Sequence, residues 1–153
     1  MCIYDVIETK FKNKKDLLEI INNSNFFLKY IEIINPISYK FIPKLSKNKK
    51  VTWPLKAEYE DCPEFSDSFF KLPKMLIKQK WILDSDLLEC ELEIFMKGFN
   101  IASIKLDFFL EMKKIVILKL KADWIHKNFL VSNSVLYDVV KDTKKIVNRI
   151  FEN

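Results

Sequence analysis

Three cysteines, a lone histidine and a lone glycine set narrow limits on the chemistry this chain can carry. Cys2, Cys62 and Cys90 are odd in number and far apart. That spacing provides neither a full disulfide framework nor a paired-cysteine metal clip. Cys90 falls on the inward side of an alternating run, where a free thiol behaves as a small hydrophobe. His126 would need ligands from scattered positions to hold zinc, so no metal site is expected. A Ser-His-Asp triad would have to use His126, and no nucleophile elbow is present. Gly98, the single glycine, rules out a P-loop and a dinucleotide fingerprint, because both need several glycines for close backbone approach to phosphate. No cofactor is expected. Paired carboxylates and Cys/His couples are missing from the inward faces, so no catalytic residue is assigned and the chain is expected not to be an enzyme. Asp5, beside Ile3 and Ile7, is the one carboxylate on an inward face, and it reads as a strand-end or register effect. An enzyme reading would gain if Asp5 or His126 pointed into a cavity.

Charge narrows the partners. The net charge is +5, with 26 basic and 21 acidic residues, and Arg149 is the sole arginine. Arginine forks onto phosphates and guanines, whereas lysine acts as a solvated point charge. A basic chain with a single arginine is a poor nucleic-acid reader, so the lysines read as solubilising surface and no nucleic acid is expected. Hydrophobic residues make up 49% and charged residues 31% of the 153 positions. This is a globular balance, most simply a single domain over 1–153. No apolar run approaches the ~20 residues that span a bilayer, so stable membrane insertion is not expected. The opening Met1-Cys2-Ile3-Tyr4-Asp5 lacks a basic region followed by an apolar one. It does not read as a signal peptide, and a cytoplasmic location is expected.

The elements that must position any site follow from periodicity. A strand-like run covers 3–11, with Ile3, Ile7 and Phe11 on one face and Tyr4, Val6, Glu8 and Lys10 on the other. Helical patterns follow at 14–22 and 25–34. Asn13 is placed to cap the first, and Asn35-Pro36 ends the second. Alternating runs then cover 37–42, 51–59, 75–83, 88–96, 102–110 and 116–124. Pro54 cannot donate a ladder hydrogen bond, so its strand is expected at an edge or with a bulge. Short turns between the later runs imply antiparallel hairpins, with glutamates of one strand beside lysines of the next. A long amphipathic helix over 134–151 closes the chain. Its apolar face comprises Val135, Leu136, Val139, Val140, Thr143, Ile146, Val147, Ile150 and Phe151, and Asp138 and Asp142 precede Lys144, Lys145 and Arg149 along the helix dipole. The expected class is α+β: a curved antiparallel sheet of about seven strands gripping the C-terminal helix.

The stretch 60–73 is the longest irregular one, and it holds Phe65, Phe69 and Phe70 among acids and prolines. An aromatic-rich loop of this length usually has a task. It reads as a gate, the competing reading being that these rings plug the open end of the sheet as core.

Strand, two short helices, antiparallel strands and a long closing helix: this order resembles the START-like helix-grip superfamily, which includes allergen-type lipid carriers, START lipid-transfer domains and polyketide cyclases. The resemblance covers nearly the whole chain and rests on element order and length. The allergen branch carries a glycine-rich loop between early strands, and the corresponding turn at 46–50 has no glycine. The lysine- and isoleucine-rich composition suits a prokaryotic or archaeal branch. The resemblance implies a cavity between sheet and last helix for an apolar or amphipathic small molecule. Trp53, Tyr59, Met75, Trp81, Leu92, Ile94, Phe108 and Leu118 would form the wall, with Val140 facing them from the helix. Gln79, Tyr39 and Tyr59 would be the sparse polar groups that orient a ligand. The expected function is binding or transport of a lipid- or fatty-acid-like molecule, with modest affinity and little head-group selectivity. The alternative is an interaction module, or a homodimer, with a filled core. A cyclase-type enzyme is less expected.

Overall fold

The computed structural model describes residues 2–22, 25–34, 38–41, 44–45, 51–59, 75–84, 86–96 and 98–152. Strand β1 (Cys2–Glu8) is followed by helices α1 (Lys14–Asn22) and α2 (Asn25–Ile34). Strands β2 (Ser38–Phe41), β3 (Lys44–Leu45), β4 (Val51–Tyr59), β5 (Met75–Asp84), β6 (Leu87–Met96), β7 (Phe99–Met112) and β8 (Val116–Lys127) come next, and helix α3 (Ser134–Glu152) closes the chain. The class is α+β, with a curved, open antiparallel sheet and a C-terminal helix. The strands pair in the order β1-β8-β7-β6-β5-β4-β2, and β3 joins β4, giving eight strands among the described residues. The expected seven lacked β3, a two-residue pairing with Val51 and Thr52; so short a ladder leaves no periodicity to read.

β1 stops at Glu8 rather than Phe11. The Thr9 hydroxyl turns inward and donates to the Val116 carbonyl at 2.6 Å while accepting from the Phe11 amide. The Thr9 amide also donates to the Val116 carbonyl, and the Val116 amide donates to the Phe11 carbonyl, so backbone contact with β8 continues past the last strand residue. The cap expected at Asn13 is present. Its Oδ1 accepts the Asp16 amide at 3.0 Å, and its side-chain amide donates back to the Asp16 carboxylate. That reciprocal pair satisfies one of the amide donors that a helix start leaves open. Ser132 Oγ does similar work before α3, accepting the Ser134 amide. The first turn of α3 holds no acid, so Asp138 and Asp142 sit too far in to meet the dipole. Arg149 is the basic residue of the last turn.

Alternation sorts the sheet into two faces. On the concave face of β5–β8, Ile77, Gln79, Trp81, Leu88, Cys90, Leu92, Ile94, Ile104, Leu106, Phe108, Leu118 and Leu120 are buried. All nine apolar-face residues expected on the last helix are buried against this side, as are Leu17, Ile21, Phe26, Tyr30 and Ile31 of α1 and α2. On the convex face the register sets Lys78 opposite Glu93, Lys80 opposite Glu91, and Glu91 opposite Lys105. Glu89 faces Asp107 directly, and Lys105 reaches across to Glu89 at 3.9 Å to offset that like-charge pair. Register shifts at Ile94/Phe95 and Ser103/Ile104 mark bulges, which add twist and bend a strand. Gly98 turns β6 into β7 with φ of 80°, a conformation that a Cβ would strain.

Candidate functional site on the concave face

The concave wall is apolar with one amide in it. Gln79 is only 5% exposed. Its Nε2 donates to the Tyr30 hydroxyl at 3.1 Å, and its Oε1 accepts from Trp81 Nε1 at 2.9 Å. A buried amide without such partners costs several kcal/mol, on the order of 1–3 in proteins. Three side chains from two elements thus converge: Gln79 and Trp81 lie two apart on one face of β5, and Tyr30 comes from α2. Gln79 Nε2 carries a second N–H, and this one has no partner among the described residues. The indole N–H of Trp124 is likewise buried without a partner among them. Trp124 sits on the same face, in register with Ile104. The wall therefore holds two donors without a partner among the described residues.

Around the network the wall is densely packed. Trp81 is fully buried and meets Phe26 at 5.9 Å, Tyr30 at 5.5 Å and Phe108 at 5.9 Å between ring centroids. Phe26 continues to Phe151 at 5.4 Å, and Phe151 to Phe11 at 5.5 Å. Edge-on and stacked rings at these separations contribute ~0.5–1.5 kcal/mol per pair beyond their burial. This ring chain fastens α2 and the end of α3 to the sheet. Among the described residues, surface grooves of about 280 Å³ flank the helices, one lined by Lys29, Glu32 and Arg149, another by Thr9, Ile115 and Asn148. Neither includes an expected wall residue.

Of the expected wall, Gln79, Trp81, Leu92, Ile94, Phe108, Leu118 and Val140 are buried together on this side. The side chains of Tyr39, Trp53, Tyr59 and Met75 lie outside the described residues. Their backbone register is given: Trp53 pairs with Trp81, Tyr59 with Met75, and Tyr39 with Ala57. The gate residues Phe65, Phe69 and Phe70 also lie outside the described residues, as does Cys62.

Asp5 is in register with Leu120, on the inward side of β1. It does not face the network. Its Oδ1 accepts from Lys144 Nζ of α3 at 3.0 Å and from the Val6 amide at 2.7 Å. The Lys144 ammonium lowers its carboxyl pKa below the ordinary value. His126 is exposed, opposite Ser103 on the convex face. Cys90 is buried, and burial raises its thiol pKa well above normal, which keeps it protonated and inert. No group of His, Cys, Asp and Glu suited to a metal occurs among the described residues. Sequence reasoning named Gln79 but missed Tyr30 as its hydrogen-bond partner, because a tyrosine in a helical stripe reads simply as core. Compared with known proteins, the sequence matches no family model and no curated protein.

Proposed function

We propose that this chain binds a hydrophobic small molecule, lipid- or fatty-acid-like, on the concave face between the sheet and α3, in the manner of START-like helix-grip carriers. The observation that carries the reading is the amide N–H of the buried Gln79 that has no partner among the described residues, held in an apolar wall by Tyr30 and Trp81. An apolar lining with a few fixed donors is what orients an amphipathic ligand. A neutral donor of this kind adds about 0.5–1.5 kcal/mol, which fits modest affinity and weak head-group selectivity. The role is non-catalytic: Asp5 is engaged by Lys144, and His126 lies on the opposite face.

The test is displacement of a fluorescent fatty acid, with tryptophan quenching as a second readout. Wild-type protein is expected to bind, and Gln79→Leu to bind about two- to tenfold more weakly at unchanged stoichiometry. Absence of binding at high ligand concentration contradicts the reading. A second reading, an interaction module with a filled core, is favoured by the ring contacts of Trp81 with Phe26, Tyr30 and Phe108. Saturation of the protein by an apolar ligand counts against it.

A further inference from the structure

We infer that the end of the sheet bearing the β6–β7 turn and the β8–α3 connection docks onto the surface of an anionic lipid bilayer. Phe99, the first residue of β7, is 75% exposed, and Phe129, just beyond β8, is 86% exposed. Ile125 and Leu130 beside it are also exposed. The Asn128 amide donates to the Ile101 carbonyl at 2.9 Å, and Ala102 is in register with Lys127. These bonds hold the two aromatic-bearing segments side by side. Phe99 is in register with the buried Met96, so its position belongs to the concave side, at the rim.

Single exposed apolar residues are ordinary, whereas several on adjoining turns need a partner. Both rings stand at one end of the sheet, Phe129 in the turn after β8 and Phe99 beside the Gly98 turn. Burying them takes a yielding phase or a deeply concave protein. Aromatic rings at the level of lipid headgroups, flanked by cations, are the usual form of interfacial attachment. One cation stands beside them: Lys127, the last residue of β8, whose ammonium donates to the Val131 carbonyl at 2.8 Å, and the chain as a whole carries a net charge of +5. Charge of this sign is drawn to anionic lipid within a Debye length. No helix among the described residues is long and apolar enough to cross a membrane, so the attachment is peripheral. It goes beyond the ligand reading, since a bilayer surface is engaged whether or not a lipid enters the concave face.

Sedimentation with vesicles tests it, using phosphatidylcholine alone and phosphatidylcholine with phosphatidylglycerol. The wild type is expected to partition at least about fivefold more strongly onto the anionic vesicles and to be released by high salt. Phe99→Ser/Phe129→Ser is expected to lose most of that partitioning with an unchanged melt, and Lys127→Glu to weaken it. Phe109→Ser, on the convex face, is expected to leave it intact. Equal sedimentation of wild type and double variant overturns the inference, and so does absence of binding to anionic vesicles. A wild-type dimer that the double variant converts to monomer also overturns it, assigning the patch to a second copy. Fatty-acid displacement in vesicle-free solution is read in parallel. Phe129→Ser alone, changed outside the concave wall, should retain it, which separates failure here from failure of the ligand reading.

Discussion

Asp5 joins the first strand to the last helix across 139 residues of sequence through Lys144. Both side chains are over a third exposed, so solvent screening holds the pair to about 0.2–1 kcal/mol. The sign of its pH dependence follows from the lowered carboxyl pKa. Stability from this group is present above its unfolded value, about 3.9, and is lost as pH falls through the lower folded value. Asp5→Asn should therefore shift the urea midpoint at neutral pH, and the difference from wild type should close in strong acid. An offset that persists unchanged at low pH would show that the carboxylate charge is not what matters. Trp81 lies at the other extreme. It is fully buried among rings, and truncation to alanine is expected to cost about 3–5 kcal/mol, read from chemical denaturation. A loss below about 1 kcal/mol would mean that the ring fills no essential space.

Among the elements, α3 matters most, because its buried face covers the sheet from Val135 to Phe151. Each such Val, Leu or Ile contributes ~1.5–3 kcal/mol, against a total stability of only ~5–15 kcal/mol for a domain. Truncation before Ser132 should give an insoluble or molten chain; a soluble fragment with a cooperative melt would make the helix peripheral. The strands and helices were legible because alternation and 3.6-residue stripes are local. Val116, Leu118, Leu120 and Ala122 read as one buried face and are one. The Asn13 cap was legible for the same reason, since donor and acceptor lie three residues apart. The Asp5–Lys144 tie and the Tyr30–Gln79 bond were not, as each joins residues that only the fold brings together. The bulges at Ile94/Phe95 and Ser103/Ile104 were hidden too, because a one-residue insertion within a mostly apolar run leaves the pattern intact. Phe99 and Phe129 fall outside the periodic runs read from the sequence, and the structure leaves both exposed.

The molecule as a whole sets an antiparallel sheet, apolar on its inner side, against helices that cover it. That inner side contains a glutamine with an uncommitted N–H and an indole N–H without a partner among the described residues. Donors buried in an apolar wall and left unpaired are costly, and the proposed amphipathic ligand would supply what they lack. Native mass spectrometry of the purified, delipidated chain, before and after incubation with a long-chain fatty acid, asks the question most directly. Binding on the concave face predicts a monomer that takes up a single fatty acid and holds it more weakly when Gln79 is changed to leucine. A monomer that stays bare at high fatty-acid concentration, or a clean dimer with no ligand, would contradict it.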